Sequence, residues 1–275
     1  MKTKKKKVNV SKRIKKSKYI KITKIKIKKP NKSKNSKNYD KIPTGISTFD
    51  DITEGGLGKG SVNLIVGGAG SGKTIFSIQF LYTGLKNGET CMYLTFEEKK
   101  EDLYKNMMKV GFDLKKYEES GKFIFVEYTP EQVKTMIEEG GGTLKSMVSK
   151  KNINRLVIDS VTSFGLLFES ELEKREAALA LFDIIKAWKC TSFLTTEKEL
   201  SIEELVSGSE SAMEFEVDSV ILIFYLRLED TRNRMIEVLK MRGTKHSRKI
   251  YSMEITEQGI KISKKPETKI KSDLI

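Results

Sequence analysis

The order of apolar and polar positions divides the chain into two stretches of different character. Between residues 62 and 197, short β-branched or aromatic runs alternate with segments whose apolar residues recur every three or four positions. That is the signature of strands alternating with helices. Val62–Val66 is the first run, followed by Ile75, Phe76, Ile78, Phe80 and Leu81 at helical spacing. "TCMYLTFEE" (90–98) reads as a second strand, and Lys99–Val110, with Leu103, Met107 and Val110 on one face, as a helix. "KFIFVEY" (122–128) reads as a third strand, and Glu131–Lys151 as a helix broken at Gly140, Gly141 and Gly142. "RLVIDSV" (155–161) is a fourth strand, Leu172–Trp188 a long helix, and "TSFLTTE" (191–197) a fifth strand.

Past residue 217 the alternation stops. "DSVILIFYLRL", "NRMIEVLKMRG", "KIYSMEIT" and "GIKIS" are strand-like with no helix between them, the pattern of an antiparallel meander. Strand–helix units followed by a meander predict one α/β domain over residues 39–263. Its central sheet is mostly parallel and its C-terminal strands antiparallel. Tyr39–Ser61 is dense in turn residues and leads directly into the first strand.

Charge changes this picture only at the ends. The formal net charge is +15, yet residues 1–38 hold 18 of the 52 basic residues and none of the 37 acidic ones. The excess belongs to the tail, and the remainder is slightly acidic. Such a tail buries too little apolar area to fold alone, so residues 1–38 are predicted to be disordered. It can touch nucleic acid or another acidic surface through counterion release, or serve solubility alone. Residues 264–275 form a second, short basic tail. No apolar run approaches the ~20 residues of a membrane span, and the N-terminus lacks the apolar core of a signal peptide. Cys91 and Cys190 sit inside apolar runs and read as small buried hydrophobes in a reducing cytoplasm.

The chemistry concentrates in "GGAGSGKT". Gly67, Gly68, Ala69, Gly70, Ser71, Gly72, Lys73 and Thr74 fit G-x-x-x-x-G-K-[ST] between a strand and a helix, the context a P-loop requires. Glycines let successive N–H groups turn inward around an anion, and the following helix presents its positive end. Lys73 is expected to reach the β- and γ-phosphates of ATP, and the Thr74 hydroxyl to ligate Mg²⁺. The second half of such a site is an acid ending another buried strand, and "LVIDS" supplies Asp159 as the partner of the metal. Glu97 and Glu98 end the strand after the P-loop helix. They either flank the γ-phosphate, where one activates water, or simply begin the next helix. Thr195, Thr196 and Glu197 end the fifth strand on the same edge, where a hydroxyl either senses the γ-phosphate or simply closes a polar strand end. Lys240 and Arg242 alternate along one strand, so both point to one face. They are either a solvated basic strand or cations delivered to the transition-state charge in trans.

The order "GISTFDDITEGGLGKGS", "GGAGSGKTIFSIQFLYTG", "YLTFEE", "LVIDSVTS", "TTE" and "KMRGTKH" resembles the KaiC family of RecA-like P-loop ATPases over residues 41–262. The resemblance implies a RecA-like core assembling into a homo-oligomeric ring, commonly a hexamer, with ATP at the subunit boundaries. It implies phosphate binding by Gly67 to Thr74, Mg²⁺ at Thr74 and Asp159, and a catalytic acid at Glu97 with Glu98. It also implies that Lys240 and Arg242, followed by His246, reach the neighbour's nucleotide. Members with autokinase activity carry a Ser-Thr pair where this chain has Glu214 and Phe215, so self-phosphorylation is not expected.

The function this predicts is an ATP-hydrolysing switch acting on an unknown protein partner. The alternative is a DNA-acting recombination or repair ATPase of the RecA/RadA type. Against it, the chain has no C-x-x-C, its tail is too polar for a helical DNA-binding domain, and the segment Glu199–Glu216 is acidic.

Overall fold

A computed structural model of the chain describes residues 40–165, 167–201, 216–228 and 230–267. The N-terminal tail, most of the acidic segment Glu199–Glu216 with Glu214 and Phe215, and residues 268–275 lie outside the described residues.

A two-stranded antiparallel ribbon, β1 (Lys41–Ile42) with β2 (Leu57–Gly58), brackets a short helix α1 (Ser47–Ile52). The sequence pattern showed only turns here. Then come β3 (Val62–Gly67), α2 (Lys73–Lys86), β4 (Thr90–Thr95), α3 (Lys100–Lys109), α4 (Lys115–Glu119) and β5 (Phe123–Glu127). α5 (Pro130–Glu138), α6 (Gly142–Lys151), β6 (Ile153–Asp159), α7 (Val161–Gly165), α8 (Glu171–Trp188) and β7 (Thr191–Glu197) follow. The chain closes with β8 (Ser219–Leu228), β9 (Thr231–Met241), β10 (Tyr251–Thr256) and β11 (Gly259–Pro266). The break between α5 and α6 falls where Gly140 and Gly141 take φ of +62° and +106°, conformations that side-chain-bearing residues avoid. α8 starts at a capping box: the Glu173 amide donates to Ser170 Oγ and the Ser170 amide to the Glu173 carboxylate.

Among the described residues, nine strands form one sheet in the order β11-β10-β9-β8-β3-β7-β6-β4-β5. The six from β8 to β5 are parallel, and β9, β10 and β11 return antiparallel. The meander expected from the sequence is present: β8, β9, β10 and β11 pair antiparallel in succession. On its other side β8 pairs parallel with β3, which joins the meander to the parallel strands.

Strand alternation sorts the core into two layers. Val62, Leu64, Leu156, Ile158 and Leu194 pack toward α5, α6 and α8. Ile65, Tyr93, Val157 and Phe193 pack toward α2. There Phe193 lies edge-on to Phe76 and Phe80, at 5.6 and 5.0 Å between ring centroids. Truncating such a residue costs about 3–5 kcal/mol. The same face holds a fully buried arginine. Arg155 donates to both carboxylate oxygens of Glu89 at 2.7 and 2.8 Å and to the carbonyls of Pro43 and Phe80. It ties the segment before α1 to α2 and β6, and removing one partner of such a pair costs about 3–5 kcal/mol. Cys91 and Cys190 are buried free thiols, each pushed up to about 12 by desolvation.

Candidate active site

The C-terminal ends of β3, β4, β6 and β7 meet at one edge, since Gly67 pairs with Glu197 and Thr95 with Asp159. This is the edge where open parallel sheets bind ligands. Gly67 to Thr74 leave β3 here and turn into α2, which starts at Lys73 behind Gly72 at φ +105°. A Cβ on Gly67 would lie 2.6 Å from the Ile223 carbonyl, so only glycine lets the loop leave β3 this close to β8. Lys73 Nζ donates to the carbonyls of Gly67 and Gly68, both at 2.9 Å. Burial lowers its pKa, and Glu197, Asp159 and Glu97 oppose that by favouring the charged form. The buried Ser71 hydroxyl has no hydrogen-bond partner among the described residues. The far side of the loop is held from the sheet. Arg234 donates twice to the Gly70 carbonyl, at 3.1 and 2.9 Å, with its guanidinium 4.3 Å over the Tyr225 ring.

Asp159 ends β6 facing this loop. Its Oδ2 accepts from Thr74 Oγ1 at 2.8 Å and from the Tyr93 hydroxyl at 2.9 Å, and its Oδ1 accepts from Thr195 Oγ1. Thr74, Tyr93, Thr95, Glu97, Glu98, Asp159 and Ser160 line an open cavity of about 350 Å³. Glu97 and Glu98 are not the helix start. The first turn of α3 carries Glu101 and Asp102, whereas the amides of Glu97 and Glu98 both donate to Thr95 Oγ1, bending the chain out of β4 over the cavity. Glu98 is half-buried; desolvation raises its carboxyl above the usual range, Asp159 adds to this, and Asn106 and Tyr93 oppose it by hydrogen bonding. Of the strand-end threonines, Thr195 joins Asp159, while Thr196 contacts Thr162 at 3.1 Å.

Lys240, Arg242 and His246 are not brought to this edge. Met241 is level with Ser219, and Ser219 with Asn63, four residues before Gly67. That separation is roughly 13 Å along the strands. Nor do the two cations sit on one strand. β9 ends at Met241, so Lys240 lies on it and Arg242 one residue beyond. Lys240 Nζ donates to the Val217 carbonyl at 2.8 Å. Arg242 lies 3.7 Å from the Asp218 carboxylate, which also accepts from the Val62 amide. His246 follows in the loop that Lys41 fastens through Thr244 Oγ1 at 2.6 Å, and burial lowers its pKa with Arg248 and Lys41 adding to the effect.

The phosphate-loop edge fits a nucleotide with a hard cation. Its donors there are hydroxyl and carboxylate oxygens, and no cluster of three or more His, Cys, Asp or Glu able to hold a metal exists among the described residues. Magnesium suits such a sparse set, because phosphate oxygens and water complete its shell. Sequence reasoning missed Tyr93, Arg234, Tyr225 and Asp218. Each lies inside a strand or at its margin, with no spacing to mark it; only the strand pairing brings them to these partners.

A profile described as "ATPase: KaiC" matches residues 42–267. The circadian clock oscillator protein KaiC of Synechococcus elongatus is 33% identical over 250 residues, 88% of this chain and 47% of that protein. A UPF0273 protein of Pyrococcus horikoshii is 35% identical over 233 residues, 80% of this chain and 92% of that protein. The chain thus spans about half the length of the circadian relatives it matches and nearly all of the shorter one. The crystal structure of a KaiC-like protein from Pyrococcus horikoshii superposes with a TM-score of 0.71 at 34% identity, covering 82% of this chain and 99% of that one.

Proposed function

The chain belongs to the KaiC ATPase family, and from that premise we propose that it is a magnesium-dependent ATP hydrolase working as a homo-oligomeric ring, whose nucleotide state acts as a conformational switch. One observation carries the reading. A hydroxyl opening the helix after the phosphate loop and an acid ending a separate strand meet at 2.8 Å, at the mouth of a cavity flanked by two glutamates.

In this reading the backbone amides of Gly67 to Thr74 wrap the phosphates, and Lys73 exchanges the Gly67 and Gly68 carbonyls for β- and γ-phosphate oxygens. Magnesium, when held by Thr74 and Asp159 with the phosphates, neutralises charge on the transferred group. Glu98, with Glu97 beside it, orients the attacking water and accepts its proton. Lys240 and Arg242 are too far from their own phosphate loop to assist it. They serve the nucleotide of the next subunit, with His246 close by. The switch follows from the oscillator proteins to which the chain is similar.

The test is complementation between two inactive variants, Lys73→Ala and Arg242→Ala. In mixed rings some boundaries pair an intact phosphate loop with an intact Arg242, so partial phosphate release returns. No recovery in co-assembled mixtures, or full activity of Arg242→Ala alone, overturns the trans assignment.

A further inference from the structure

We propose that Tyr93 is a positioning residue that couples occupancy of the metal position at Asp159 to the placement of the Glu98 carboxylate. The inference rests on the ATP-hydrolase reading above. Tyr93 is fully buried in β4, its ring stacked on Phe125 at 6.0 Å between centroids. Only its hydroxyl end reaches the cavity, beside Thr74, Glu98 and Asp159. Phenylalanine would fill the same space and keep the same stacking, so the packing does not use the oxygen. A buried hydroxyl costs free energy unless it is partnered, and the partners here are functional groups.

A phenol carries a single hydrogen. It is donated to Asp159 Oδ2 at 2.9 Å, while Glu98, three residues past the end of β4, lines the same cavity as the phenol and Asp159. Asp159 Oδ2 already accepts the Thr74 hydroxyl. A divalent cation drawing on the lone pairs of Asp159 weakens the phenol's hold there, and the hydrogen turns to Glu98. The glutamate is then fixed over the cavity only when the metal position is filled. Tyr93 does not touch phosphate in this scheme; it acts through Asp159 and Glu98.

The experiment is a cycle on metal affinity. Mn²⁺ is titrated calorimetrically into the full chain saturated with a non-hydrolysable ATP analogue, for the parent, Tyr93→Phe, Glu98→Gln and the double variant. Tyr93→Phe is expected to tighten Mn²⁺ binding by up to about tenfold, the scale of one hydrogen bond to a charged group, because no phenol then competes with the cation for Asp159. Glu98→Gln should shift Mn²⁺ affinity in the parent and far less in the Tyr93→Phe background, the mark of coupled residues. Turnover should fall about 10- to 100-fold with KM for ATP within about threefold, and the double variant should be no slower than Glu98→Gln. Parent-like Mn²⁺ affinity, additive effects, or loss of fold in Tyr93→Phe overturns the proposal. A parent chain that releases no phosphate yet shows the coupling in Mn²⁺ affinity sinks the hydrolase reading alone.

Discussion

The two edges of the central sheet hold cations in contrasting surroundings. At the phosphate-loop edge, Lys73 is half-buried, bonded to its own loop carbonyls and ringed by Glu97, Asp159 and Glu197. At the opposite edge, Arg242 is half exposed and pairs with Asp218 at 3.7 Å. The difference is topological. Parallel strands deliver their C-terminal ends to one edge, and an antiparallel return such as β9 delivers its own end to the other. A chain built this way gathers the Gly67–Thr74 loop and its acids at one edge and Lys240 with Arg242 at the other, which is why the proposed function places the latter at a subunit boundary.

The sharpest way to break this comparison is to remove the near cation. Lys73→Ala is expected to lower phosphate release about a thousandfold, on the scale of losing a direct stabiliser of transition-state charge, and to abolish the ATP-induced rise in melting temperature. Retained turnover and an unchanged thermal shift would mean that the near edge is not the nucleotide site. A smaller loss, about a hundredfold in kcat with ATP affinity intact, is expected for Glu98→Gln, because the carboxylate acts on water rather than on bound nucleotide. Equal losses in affinity and kcat would move Glu98 from the chemistry to binding.

The smallest effect concerns the strand leading to the far edge. Glu237 on β9 is half-buried, and desolvation raises its carboxyl above the usual range. A raised folded-state pKa means the folded chain holds this proton more tightly than the unfolded one. Stability is therefore lost as pH rises from the unfolded value, about 4.3, through the folded one, and stays lost above it. Glu237→Gln should raise the melting temperature by about 2 °C at pH 7 and leave it unchanged at pH 3. A rise of equal size at both pH values would trace the effect to packing instead of charge.

The residue pattern alone carried the α/β class, the strands from β3 to β7 with the longer helices between them, the phosphate-loop motif and the acid at Asp159, but not the short helices α4 and α7. Each is a local signal: hydrophobic period, glycine spacing, or an acid closing an apolar run. It left two readings for Glu97 and Glu98; both precede α3 and line the cavity, and their part in the chemistry belongs to the proposed function. It set Lys240 and Arg242 together on one strand, whereas β9 ends at Met241, between them. The parallel pairing of β8 with β3, the three hydroxyls gathered on Asp159, and the clamp of Arg234 on Gly70 depend on partners 36 to 164 residues apart in the chain. Period and composition report on a residue's own neighbourhood. Which strand lies beside which is decided by the packing of the whole sheet, and that packing alone set the two groups of cations at opposite edges.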